Sequence, residues 1–169
     1  PPFHSASQPF PFNCPWTDPS CGSSPFQYCD MVSSTTLSPA NYYVPGGFDI
    51  CANNIVLDCN GATLEPDPPG TFNAGGTIKI TNVQGSTVKN CKLNNLLLQL
   101  SGSSFNTITS NNLVNSSPQL IGSNSNIISN NQIDVQGWGM EIQSGSNNTI
   151  ANNSITSASN GIQFISGND

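Results

Sequence analysis

The chain is nearly without charge. Of its 169 residues only 7 % are Asp, Glu, Lys or Arg, arginine is absent, and His4 is the single histidine. Three lysines against nine acids leave a net charge of −6. No basic surface exists to neutralise phosphates, so nucleic-acid binding is excluded as a function class. No apolar run approaches the length needed to span a membrane. Helical periodicity is missing as well, because the apolar residues alternate in short pairs. Disorder is not the alternative, since it usually comes with high net charge and no apolar period. Asn and Ser, 24 of each, belong to turns, where their side chains bond nearby backbone.

What is present is a period. Ile78-x-Ile80, Leu98-x-Leu100, Pro118-x-Leu120, Met140-x-Ile142 and Ile162-x-Phe164 recur 20 to 22 residues apart. Ten residues after the start of each of the first four pairs stand Val88, Ile108, Ile128 and Ile150. Three further on stand Cys91, Asn111, Asn131 and Asn153, and two beyond those Leu93, Leu113, Ile133 and Ile155. A fixed period outranks any local reading. Each unit reads as strand and turn in alternation, divided by Gly, Asn and Ser. A unit this short cannot bury its own apolar face, whereas stacked copies can. The stack is a coil of parallel strands with neighbours about 4.8 Å apart. Ile78, Ile80, Leu98 and Leu100 point inward; Lys79, Gln99, Gln119, Glu141 and Gln163 point outward. That outer column is either plain solvation or a sticky lateral surface.

The units resemble right-handed parallel β-helix repeats of the pectin-lyase-like and NosD-like class, found in surface and carbohydrate-active proteins. Asn106-Thr107-Ile108, Asn148-Thr149-Ile150, Asn153-x-Ile155 and Asn160-Gly161-Ile162-x-Phe164 carry the likeness, and Asn54 to Gly61 resembles an early coil. It covers roughly residues 30–169. It implies an all-β, right-handed parallel β-helix of about six coils. It implies no chemistry, because the repeat carries none. The copper association of some NosD-like proteins does not carry over, since His4, two Met and scattered acids give no ligand cluster.

Two regions are expected: a Pro-, aromatic- and Cys-rich arm or cap over residues 1–47, and the β-helix over residues 48–169. The first 28 residues hold Phe3, Phe10, Phe12, Trp16, Phe26 and Tyr28 among prolines that block helix. They read equally as a cap pinned by Cys14, Cys21 and Cys29, or as an arm packing on a neighbouring subunit. Short strands are expected at 32–37 and 42–44, then Phe48-x-Ile50 as an inward pair. Val56-x-x-Cys59 is matched to Val88-x-x-Cys91, and an insertion runs from Glu65 to about Ala74.

Six cysteines suggest an oxidising compartment. Cys59 and Cys91 occupy one place on successive coils, within disulfide reach, so a Cys59–Cys91 bridge is predicted. Cys14, Cys21, Cys29 and Cys51 then pair in one of three ways, Cys29–Cys51 with Cys14–Cys21 being preferred. The column Asn111, Asn131, Asn153 serves the turn backbone, each amide bonding to the next. Three sequons, at Asn115, Asn147 and Asn152, are candidate glycosylation sites.

For an enzyme the inventory is thin. Sugar-cleaving β-helices need paired carboxylates or a base with a cation. The acids are Asp18, Asp30, Asp49, Asp58, Glu65, Asp67, Asp134, Glu141 and Asp169. In the repeat register no two stack as an outward pair, and Lys89 and Lys92 alone make no acid–base set. Histidine-based triads fail for lack of histidine. Catalytic, cofactor and metal residues are therefore predicted as none; a calcium site at Glu65 and Asp67 has no further support. Trp138, between two glycines, reads either as a sugar-stacking platform or, preferentially, as packing on a neighbouring turn. Thr87, Thr107 and Thr149 form an ice-binding-like column that Ile127 interrupts.

The sequence stops within a coil, at Ile162-x-Phe164, with no visible cap, and it opens without an initiator Met, as a trimmed product does. An open coil exposes apolar residues and strand edges. The expectation is therefore an extracellular or cell-surface structural subunit, stacking head-to-tail through the arm and the open coil into a filament. The alternative is a non-catalytic, carbohydrate-binding or carbohydrate-active piece of a larger secreted protein, with glycans as partners.

Overall fold

The computed structural model describes residues 8–9, 29–44, 47–66, 76–156 and 158–165. Its strands are short because Asn, Gly and Ser interrupt the chain every few residues, often at positive φ. Asn90, Ser110, Asn130 and Asn152, at equivalent corners, have φ of 56°, 57°, 56° and 55°. Asn tolerates this left-handed region better than β-branched residues do. Each such corner turns the chain into the next strand.

Three parallel sheets result. Sheet I holds Cys29–Met31, Gly47–Ile50, Thr77–Thr81, Leu97–Ser101, Pro118–Ile121, Trp138–Gln143 and Asn160–Ile165. Sheet II holds Thr35–Thr36, Val56–Asp58, Thr87–Lys89, Thr107–Thr109, Ile127–Ser129 and Thr149–Ala151. Sheet III holds Gln8–Pro9, Asn41–Tyr43, Thr63–Glu65, Lys92–Asn94, Asn112–Val114, Gln132–Asp134 and Ser154–Thr156. The chain visits I, II and III in turn, so it is a parallel β-solenoid. Its coils 1 to 6 cover residues 29–43, 47–65, 77–94, 97–114, 118–134 and 138–156. Among the described residues no helix is long and apolar enough to cross a membrane.

The register is that of the repeat. Val88, Ile108, Ile128 and Ile150 are successive partners in sheet II. Leu93, Leu113, Ile133 and Ile155 are partners in sheet III. In sheet I, Phe48, Ile78, Leu98 and Pro118 align, as do Ile50, Ile80, Leu100, Leu120, Ile142 and Phe164. Apart from Phe164, which is exposed, these inward side chains form or pack against one continuous core. Each fully buried aliphatic contributes about 1.5–3 kcal/mol.

Three details of the sequence reading change. Leu57, not Val56, partners Val88, and Val56 pairs with Thr87 outside. The corner of coil 2 is two residues longer than that of coil 3, which shifts the match by one. Val32 is 59 % exposed and lies between strands, so the first sheet II strand is only Thr35–Thr36. Glu65 is not in an insertion: it ends a strand beside Tyr43 and is buried. Asp30 and Asp49 are backbone partners in sheet I, and Asp49 is buried. Residues 67–75, with Asp67, lie outside the described residues, as do Cys14, Cys21 and most of the arm. Sheet pairing already includes residues 29–43, upstream of residue 48.

Candidate functional site

The corners are polar inside, and this decides which residues are free for function. Asn111 Oδ1 accepts from the Cys91 backbone N–H at 2.9 Å, and Asn131 Oδ1 accepts from the Asn111 N–H at 3.0 Å. Asn153 continues the series by accepting from the Asn131 N–H at 2.9 Å. The Asn111 and Asn131 side-chain amides donate to Val88 O and Ile108 O. Each also donates to the next Asn, at 3.0 and 2.9 Å. The column predicted from the sequence is thus a structural ladder.

A second ladder was missed. Ser86, Asn106, Asn126 and Asn148 repeat the same pattern at the corner between sheets I and II, linked by bonds of 2.9 Å. Ser103 and Ser123 form a third series there. The signal lies in the spacing, because Asn106, Asn126 and Asn148 keep the period of the repeat.

The Cys59–Cys91 disulfide joins coils 2 and 3, with Cα atoms 4.7 Å apart. It forms although the two cysteines stand at different distances from Leu57 and Val88, because the longer corner of coil 2 swings Cys59 into place. Cys51 is also disulfide-bonded; the pairings expected for Cys14, Cys21 and Cys29 lie outside the described side chains. Beside the bridge, Asn90 donates to Asp58 Oδ1 at 2.9 Å, and Lys89 Nζ lies 3.2 Å from Asp58 Oδ2. The Asn90 amide, foremost, holds the Asp58 carboxyl below its ordinary value, with the Asn60 N–H and Lys89 helping against partial desolvation.

On sheet I the outward column carries bonded side chains. Gln99 Nε2 donates to Gln119 Oε1 at 3.2 Å, and Gln119 Nε2 donates to Glu141 Oε2 at 3.0 Å. The Gln143 amide donates to Glu141 Oε1. The column predicted as outward is therefore an ordered amide ladder ending on a carboxylate.

Next to it lies a cleft of about 540 Å³. It follows from the spacing of the repeat. Corners from sheet III to sheet I are short after coils 3 and 4 and gain two residues after Ile133 in coil 5, where the period stretches to 22. The longer corner, Val135 to Gly137, stands out as a step carrying Trp138. Asn95, Asn115 and Ser117 line the recess below the step, and Gln119 and Glu141 line its side. Trp138 is 44 % exposed and lines the recess, so part of the residue faces solvent there. Gly139 lets this corner sit tight: a Cβ there would meet Gly161 O at 2.4 Å.

The sequon residues take corner positions. Asn147 and Asn152 are exposed, while Asn115 is half-buried in the cleft and its Ser116 is buried. Among the described residues no three His, Cys, Asp or Glu gather. Met31 and Met140 are both in the core, Cys51, Cys59 and Cys91 are oxidised, and His4 lies outside the described residues.

The family model described as "Periplasmic copper-binding protein (NosD)" matches residues 46–169. No curated protein and no solved structure matches the chain.

Proposed function

The chain belongs to the NosD family, whose model covers more than half of it, and from that premise we propose that it is a non-catalytic, glycan-binding β-helix working outside the cytoplasm. The family's periplasmic description and the Cys59–Cys91 bridge support that compartment. The copper of the family description is not carried over. Its soft or imidazole ligands are either buried in the core, locked in disulfides or outside the described residues.

The observation that carries the proposal is the Trp138 cleft. A partly exposed indole beside side-chain amides and one carboxylate suits a sugar, which needs a flat apolar surface for its C–H face and rigid partners for its hydroxyls. Among the described residues Glu141 is the one ionisable residue lining the recess. A single acid without a paired acid or cation supports binding over hydrolysis. A glycan array followed by titration of Trp fluorescence tests this. Trp138→Ala should weaken any captured glycan roughly tenfold or more, with circular dichroism unchanged. An array blank across neutral and acidic glycans would sink the proposal.

End-to-end stacking is a second reading. Ile162 and Phe164 stand in register with Met140 and Ile142, yet are 40 % and 73 % exposed. A further coil, of this chain or of another copy, would cover them. Sedimentation at rising concentration tests the second case, and monomers throughout would dismiss it.

A further inference from the structure

Resting on the glycan reading, we infer that the cleft selects neutral, linear glycans of about three rings, laid along the solenoid axis, and that Glu141 is the specificity-determining residue. The direction follows from the lining. Gly76 and Thr77 belong to the start of coil 3, Asn95 and Leu97 lead into coil 4, Asn115 and Gln119 into coil 5, and Trp138 and Glu141 into coil 6. Three inter-coil steps of about 4.8 Å make a trough about 14 Å long. A single sugar on Trp138 would leave most of it empty.

The charge preference follows from what faces the trough. Among the described residues Glu141 is its only ionisable lining group. Lys79, at the coil 3 end of the outward column, does not line the trough, and it is three steps or about 14 Å from Glu141, so beside Trp138 it is screened over a physiological Debye length of about 8 Å. Lys89 and Lys92 lie on sheets II and III. A uronate or sulfated sugar entering beside Trp138 would meet an uncompensated carboxylate. Neutral hydroxyls would meet acceptors and donors already aimed by the ladder. Because Gln119 and Gln143 both donate into Glu141, the orientation of the Gln119 and Gln99 amides is set by that carboxylate. Glu141 thus acts twice, as an electrostatic filter and as the anchor of the amides.

The test uses the whole chain and titrates neutral gluco-, xylo-, manno- and galacto-oligosaccharides of one to six rings against hexagalacturonate. The expected result is affinity that rises up to about three rings and then levels, with hexagalacturonate at least fivefold weaker than the best neutral hexamer. Glu141→Gln should raise the acidic-to-neutral affinity ratio at least fivefold. Asp134→Asn removes the same charge outside the trough and should leave that ratio within twofold of the wild type. Equal affinity for neutral and acidic chains, or equal effects of the two variants, overturns the inference. Binding that still depends on Trp138 would then leave the glycan reading standing, whereas no binding by any probe removes both.

Discussion

Asn131 shows how much one side chain does here. It is 2 % exposed, accepts from both the backbone and side chain of Asn111, and donates to Ile108 O and Asn153. Asn131→Ala leaves a buried N–H of Asn111 without an acceptor, at about 1–3 kcal/mol. With the other lost bonds we expect a destabilisation of about 3 kcal/mol in urea unfolding. A loss below 1 kcal/mol would mean water substitutes for the ladder. Asp58 sets a milder, pH-dependent effect. Its folded pKa is lowered, mainly by Asn90. Its contribution is therefore present above the ordinary value of 3.8 and fades as pH falls through the lower folded value. Asp58→Asn should flatten part of the acid limb of the urea midpoint below about pH 4. An unchanged limb would show that the contact is made equally in the unfolded chain. The inward aliphatics were readable residue by residue, because alternation alone assigns faces. Val56 was misread because two extra corner residues leave no trace in the alternation itself.

At the scale of the element, corners decide more than strands. The strands only repeat; the corners hold the ladders, the disulfide and the step at Trp138. Gly139→Ala puts a Cβ within 2.5 Å of Ile155 Cγ2 and closer still to Gly161 O. Since backbone cannot yield cheaply, the corner must shift, and we expect both a lowered melting temperature and a changed Trp138 emission spectrum. An unaltered spectrum would show that the step is not held by that packing. The Cys59–Cys91 bridge spans 32 residues. Chain-entropy arguments put its contribution at roughly 3–4 kcal/mol, acting on the unfolded state. The double variant Cys59→Ala, Cys91→Ala should lose about that much stability while keeping its circular dichroism spectrum. The bridge was legible because equivalent places on adjacent coils are within reach. The cleft was not. Trp138 stood out between two glycines, but a recess depends on which neighbouring corners are short, and that requires coils stacked side by side.

For the whole molecule, stability is local and additive, as in other solenoids. Ile108 and Ile128 are fully buried, whereas Ile150 and Ile155 in coil 6 are only partly so. Hydrogen exchange should therefore be slowest in coils 3–5 and fastest in coil 6 and the strand Asn160–Ile165. Uniform protection along the axis would mean that coil 6 is covered in solution, which favours end-to-end association.

The covalent staple between coils 2 and 3 also has a mechanical meaning. Pulled from its C-terminal side, the solenoid should unspool one coil at a time, each releasing 20 to 22 residues, or about 70 Å of extended chain. The unravelling should halt where Cys91 is tied to Cys59, so that the molecule behaves as a tether with a built-in stop.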